Sequence, residues 1–210
     1  MDKRKIIAKN RYEEIHYELL EVGEKLLNTK RLTQISLNSI KEYTDISKTT
    51  IYEHFHSFEE FLSDVIKHVY KKRRQSYLEK LQDKPKENIK TIFKVWTEFT
   101  YENFTLGRNI YAAYILLAGK YNFQLMGGVY KDLDMELEKL GFSNKEREEF
   151  IGKFYFSIDE LIIDLENENK NNINSKINDL ILALTPEDPD VNVEAENKNE
   201  IEKISPKKAE

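Results

Sequence analysis

The chain has 210 residues, 40% of them hydrophobic, enough to bury a core in one large domain or in a small domain joined to a larger one. With 34% charged residues, seven glycines and four prolines it should be nearly all helical, and with no cysteine it can hold no disulfide, thiolate metal site or cysteine nucleophile. The net charge of −5 is unevenly spread: residues 1–80 carry 16 basic and 13 acidic side chains and the remainder 17 and 25, so a mildly basic head precedes an acidic body, the balance of a protein that touches DNA with one end.

The N-terminal segment has no apolar signal core, and no apolar run approaches the roughly 20 residues a bilayer span requires, so a soluble, cytoplasmic protein without membrane contact is expected. Residues 1–10 read as a basic, partly frayed arm. From Arg11 to Leu27 the positions Tyr12, Ile15, Leu19, Val22 and Leu26 step by three and four, widened by Leu20 and Leu27, which predicts an amphipathic helix. Leu32 and Ile35 then plug a loop into the core.

The stretch from Ser36 to Asp64 predicts two short helices around a tight turn and the start of a third. Ser36 caps the first, whose buried stripe is Leu37, Ile40 and Tyr43. Thr44-Asp45-Ile46 forms the turn, Ser47 caps the second helix, and Ser57 caps the third with Glu59 and Glu60 in its positive first turn. A second helix that opens on small polar and basic residues after a three-residue turn suits a helix-turn-helix presented to the major groove.

The third helix keeps its apolar spacing to about residue 81, broken by Lys71-Lys72-Arg73-Arg74, which reads either as a solvated face or as a supplementary phosphate contact. Pro85 suits the first turn of the next helix, with Ile89, Ile92, Phe93, Trp96, Phe99, Thr100 and Phe104 on a broad aromatic face. Gly107 punctuates, Ile110 to Leu117 reads as a short buried helix, and Gly119 to Leu140 as another, ended by Gly141. Ser143 with Glu146 matches a capping box opening a helix that carries Phe150 to Leu165. Asn167–Asn174 reads as a loop, Ile177 to Leu184 as a last helix, and residues 185–210 as a disordered acidic tail.

ISKTTIYEHFHSFEEF, Ile46 to Phe61, resembles the recognition segment of the TetR family of bacterial transcriptional regulators, at Ile46, Ser47, Lys48, Thr50, Ile51, Tyr52, Phe55, Ser57, Glu59 and Glu60. The motif-level resemblance covers about residues 11–68; beyond it the helical layout and length alone are similar. Three positions depart from the family pattern. Asp45 stands where the turn usually has glycine, and it tolerates a left-handed backbone better than most residues. Thr49 replaces a small residue and Phe58 a lysine.

The chemistry of the second short helix also stands on its own. Its free N–H groups and partial positive charge suit phosphate. Lys48 can reach phosphate or guanine, and Thr49 and Thr50 can reach base edges or thymine methyls. Tyr52 and His54 suit the flanking backbone, and Ser36 can bind phosphate from the preceding helix. With Ser47 at the cap and His56 in the following loop, these eight residues are the candidate DNA contacts.

Since one unit offers little specificity, a homodimer on an inverted-repeat operator of double-stranded DNA is expected. The final two helices supply an interface, as the last pair usually does in the TetR family, with candidates Phe154, Ile158, Leu161, Ile162, Leu165, Ile177, Leu180, Ile181 and Leu184; the alternative is that half of these face their own core. The resemblance also implies a ligand cavity for a small apolar or aromatic effector, its candidates Phe93, Trp96, Phe99, Thr100, Phe104, Tyr111, Tyr114, Phe123, Met126 and Tyr130.

The expected architecture is all-α, TetR-like, with about nine helices: residues 1–57 a helix-turn-helix DNA-binding domain, 58–82 a linking helix, 83–184 a helical ligand-binding and dimerisation domain, and 185–210 the tail. The expected function is a dimeric, ligand-released repressor. The alternatives are a DNA-bound protein scaffold or a helical interaction module without a small-molecule effector. No enzyme, cofactor or metal site is expected. His16, His54, His56 and His68 lack catalytic or metal partners in the sequence, and Gly127-Gly128 lacks the rest of a phosphate loop.

Overall fold

The computed structural model describes residues 3–117, 127–167, 175, 178 and 179, and among them every regular element is helical. Phe123 and Met126 lie outside the described residues, as do Ile177, Leu180, Ile181 and Leu184 of the last predicted helix and the whole of the tail. No described helix is long and apolar enough to cross a membrane.

Helix α1 (Lys3–Thr29) is longer than its apolar stripe. It takes in the segment predicted as an arm, because Lys, Arg and Ala favour helix and no glycine or proline interrupts the chain before Gly23. Its second half buries one stripe, with Leu19, Leu26 and Leu27 fully enclosed.

The head follows the predicted pattern closely. Ser36 caps α2 (Leu37–Ile40), accepting from the Ser39 N–H at 3.3 Å, while Ser39 Oγ accepts from the Ser36 N–H at 2.9 Å, a reciprocal box closed by a serine. A 3-10 turn, Lys41–Tyr43, continues it. Leu37 and Ile40 are buried, but Tyr43 is exposed, since the tighter turn rotates it off their face; Lys30 sits over its ring at 4.9 Å.

The turn is built differently from expectation. Among the described residues only Gly141 has a positive φ, so Asp45 is not left-handed. Extended Thr44 does the work instead. Its hydroxyl accepts from the Ile46 N–H at 3.2 Å and donates to Glu18 on α1 at 2.8 Å, which fixes the turn against the helix in front.

Ser47 caps α3 (Lys48–His54) and Ser57 caps α4 (Phe58–Leu78), each accepting from the N–H three residues on. The basic run on α4 is neither a free solvated face nor an open phosphate site. Lys72 donates to Glu24 at 2.7 Å and to Glu21 at 3.1 Å on α1. Arg73 lies over the Phe99 ring at 3.8 Å, and Arg74 makes a bidentate pair with Asp132 at 2.7 and 2.8 Å. Only Lys71 is left exposed with no pair among the described residues. Three of the four cations thus tie the linking helix to neighbours on both sides.

The body is built from α5 (Pro85–Glu102), α6 (Phe104–Leu117), α7 (Gly127–Lys139) and α8 (Asn144–Asn167), with α8 packed on α5, α6 and α7. Gly107 does not break the chain; it is buried inside α6 near Thr100 and Ile162, and the break falls at Asn103. Gly141, at φ 85°, ends α7 as predicted, and Ser143 and Glu146 close their capping box, with Ser143 N–H to Glu146 Oε2 at 2.8 Å. Head and body are joined by buried Asn109 of α6. Its amide donates to the Leu27 and Lys30 carbonyls, each at 2.6 Å, and its oxygen accepts from the Leu32 N–H at 3.1 Å. One side chain thereby ties the C-terminal end of α1 and the loop after it to α6.

Candidate nucleic-acid interface

Helix α3 is amphipathic over two turns. Ile51 and His54 are buried, while Lys48, Thr49 and Tyr52 are exposed on the other side. Lys48 Nζ lies 5.8 Å from the centre of the Tyr52 ring, one turn on, so the two present one cationic and aromatic edge. Thr49 carries its hydroxyl and methyl outward. Thr50 is half-buried, and its hydroxyl lies 2.9 Å from Ser47 Oγ, which also caps the helix. Ser47 and Thr50 therefore shape the helix start more than they offer free groups. Ser36, at the cap of α2, is exposed.

His54 is not placed as a contact. It is 7% exposed, its ring stacks on Tyr12 at 4.0 Å between centroids, and its Nδ1 is 3.4 Å from His16 Nδ1. The residue that ends α3 is thus an anchor on α1, because a helix of two turns needs its last turn packed to hold an angle. Burial first, and then the charge of the neighbouring His16, hold His54 below its ordinary pKa.

Stability that depends on a neutral His54 is complete above the ordinary histidine pKa and is lost as pH falls through that range toward the depressed folded value. Thermal melts between about pH 7.5 and 5.5 should show the head weakening, and His54→Gln should flatten that fall. A wild-type profile with no decline would contradict the reading.

His56 is exposed in the loop, with its backbone N–H donated to Glu60 at 2.8 Å. Phe58, where the family pattern has lysine, is half-buried against Phe61, so this chain uses the position for packing.

In the body, Phe93, Trp96, Phe99 and Thr100 are buried, Phe104 and Tyr111 half-buried, and Tyr114 and Tyr130 exposed. Phe93 stacks between Phe150 and Phe154, with centroids 5.6 and 4.6 Å away, and the Thr100 hydroxyl donates to the Trp96 carbonyl at 2.9 Å. Both are committed to the core. Trp96 differs, because its Nε1 is buried with no acceptor among the described residues, a costly state for an N–H donor.

Of the candidate dimer residues on α8, Phe154, Ile158, Leu161, Ile162 and Leu165 are all buried within the chain. The exposed apolar residues of α8 are Phe156 and Ile163, seven positions apart and so on one face.

Spacing within single helices could not reveal the clusters that form between them. Glu21, Glu24 and His68 place ligand atoms within 4.8 Å of one another, a set able to hold a metal ion. Lys72 already donates to both carboxylates, so the ammonium supplies the cation there. Burial pushes Glu21 up, but donors from Lys72, His68 and Tyr17 outweigh it and hold the carboxyl below its ordinary range. His68 and Lys72 also line an open cleft of about 590 Å³ between α1 and α4, together with Tyr12, His16, Tyr17 and Lys71.

The fold is TetR-like. FadR, a fatty acid degradation regulator from Bacillus halodurans, superposes with a TM-score of 0.65 at 15% identity, over 81% of this chain and 94% of that one. A TetR transcriptional regulator from Rhodococcus sp. RHA1 superposes with a TM-score of 0.57 at 13% identity, over 84% of this chain and 97% of that one. No protein-family model matches the chain, and no curated protein matches it in sequence.

Proposed function

We propose that this TetR-like chain is a transcriptional repressor, which binds an inverted-repeat operator as a homodimer and is released by a small apolar or aromatic ligand. The observation that carries the reading is the two-sided build of α3. Its buried side, Ile51 and His54, anchors the helix, and its exposed side, Lys48, Thr49 and Tyr52, offers a cation, a hydroxyl, a methyl and a phenol to a groove. Ser36 and His56 are suited to the flanking phosphates. The two structures compared above are regulators by name, which supports the same reading.

In this reading residues 1–57 bind DNA, 58–82 link, and 83–184 bind ligand and partner. The exposed pair Phe156 and Ile163 faces the partner, in place of the buried α8 residues. The unsatisfied Trp96 Nε1 supports a small-molecule effector over a scaffold without one, since a ligand acceptor would complete it. Release requires only that ligand prefer one spacing of the two heads.

The test uses an operator selected from random duplex DNA by the wild-type protein and titrated by fluorescence anisotropy. Lys48→Ala/Tyr52→Ala should weaken binding roughly tenfold or more and lower its salt dependence. Unchanged affinity would sink the proposal. In the same assay Phe156→Lys/Ile163→Lys should yield a monomer that no longer distinguishes an inverted repeat from a half-site.

A further inference from the structure

We propose that Arg73 of α4 and Trp96 of α5 form a subsite for the acidic head group of an apolar carboxylate, whose oxygens accept from Arg73 Nε and Trp96 Nε1. The proposal rests on the ligand-release reading above and names the chemical class of the effector.

Among the described residues, the buried side-chain nitrogens and oxygens without a hydrogen-bond partner are Arg73 Nε and Trp96 Nε1. Both groups border one ring. The Arg73 guanidinium lies over the face of Phe99 at 3.8 Å, and the Trp96 indole meets the same ring edge-on, with centroids 6.1 Å apart. Tyr70, one turn before Arg73 on α4, packs on Trp96 with centroids 5.0 Å apart. Tyr70 with Trp96 and Arg73 with Phe99 are thus successive rungs between two packed helices. Leaving donors unmade in an aromatic layer is costly, and this layer has taken in two.

The charge decides the kind of acceptor. Lys72 and Arg74, on either side of Arg73, hold carboxylates on α1 and α7, whereas Arg73 has no ion pair among the described residues. Burial holds its guanidinium below its ordinary pKa, against the through-space pull of Glu24 and Glu102. Glu24 is already taken by Lys72 at 2.7 Å, and Glu102 is exposed. A neutral carbonyl would satisfy the N–H groups and leave the charge uncompensated. A carboxylate satisfies both, and its hydrogen bonds to a guanidinium are the stronger kind. The rings around the donors suit an apolar remainder. A ligand held across α4 and α5 also bears on the linking helix, the element that carries the head.

Trp96 is the one tryptophan of the chain, so its fluorescence reads this place directly. Decanoate and cyclohexylacetate, which do not absorb where indole is excited, are titrated into the full chain beside their primary amides. Each carboxylate should shift the Trp96 emission saturably and bind about tenfold or more tighter than its amide. Arg73→Gln keeps an N–H donor without the charge and should bring acid and amide to similar affinity. Arg73→Lys keeps the charge and should retain a preference for the acid. Lys71→Gln removes the same charge from an exposed position in the same run and should leave the preference unaltered. Trp96→Phe, followed by calorimetry, should weaken acid and amide alike.

No saturable response to either carboxylate overturns the proposal and leaves the two donors to ordered water. Equal binding of acid and amide overturns it in favour of a neutral effector. A preference for the acid that survives Arg73→Gln, or unchanged affinity in Trp96→Phe, places the head group elsewhere and overturns it too. The operator titration separates this subsite from the reading it rests on. If a carboxylate binds as expected and operator affinity does not change, ligand release fails and the subsite stands. If neutral compounds release the operator and carboxylates do not bind, the subsite alone fails.

Discussion

Asp132→Ala is expected to lower stability by about 3 kcal/mol. Asp132 is 7% exposed and accepts three hydrogen bonds, from Arg74 at 2.7 and 2.8 Å and from the Tyr77 hydroxyl at 2.5 Å. Tyr77 is fully buried, so its hydroxyl would be left without an acceptor, at about 1–3 kcal/mol. Arg74 would lose its partner as well. Its side chain is 40% exposed, so water recovers part of that loss, and the total belongs at the lower end of what breaking a buried pair costs.

Asp132→Asn keeps the shape and an acceptor for Tyr77, and should cost less than half as much. Urea unfolding measures both, and a loss below about 1 kcal/mol for Asp132→Ala would show the network to be dispensable. The same contacts join α4 to α7. A Cβ at Gly128 would come within 2.8 Å of Arg74 Cδ, which is why the first turn of α7 leaves room for the guanidinium. Weakening the network should therefore also loosen the linking helix from the body.

Gly23→Ala is the second large effect, and its sign is decided by two opposing terms. Alanine gains about 1 kcal/mol of helix propensity over glycine. Against it, a Cβ at Gly23 would lie 2.4 Å from Val65 Cγ2 and 2.7 Å from Phe61 Cζ. Both side chains are fully buried; valine is stiff at χ1, and the Phe61 ring packs edge-on against Phe55 at 5.1 Å. Neither can swing aside, so overpacking wins, and a net loss of about 2 kcal/mol is expected. Pairing Gly23→Ala with Val65→Ala removes the nearer obstacle, and the double variant should lose less than the sum of the single ones in a double-mutant cycle. A Gly23→Ala protein as stable as wild type would show that α1 and α4 are not in the close contact described.

Much of the head was legible because its signals are local. Ser36, Ser47 and Ser57 each bond an N–H three residues away, and the apolar steps of α1 and α4 need only helical periodicity. The Asp45 expectation failed for a long-range reason, since the turn is held by Thr44 reaching Glu18 across 26 positions. His54 likewise looked like a polar group on a polar helix until α1 supplied Tyr12 and His16 to bury it. The basic run of α4 seemed a solvated face because its acidic and aromatic partners sit on α1, α5 and α7.

The candidate body sites were less legible, because an apolar stripe states which side of a helix avoids water and not what covers it. On α8 the regular stripe faces the chain's own core, and the outward apolar residues are the off-stripe pair Phe156 and Ile163.

The sequence by itself determined an all-helical chain, the order and capping of its helices, and a short helix-turn-helix with Lys48, Thr49 and Tyr52 on its outer side, since propensity, periodicity and capping act within a few residues. Only the tertiary structure decided which polar residues remain available. The aromatic stack on His54, the acidic partners of Lys72 and Arg74, and the Asn109 bridge between head and body all join residues far apart in the chain, and burial and pairing exist only once the helices have packed.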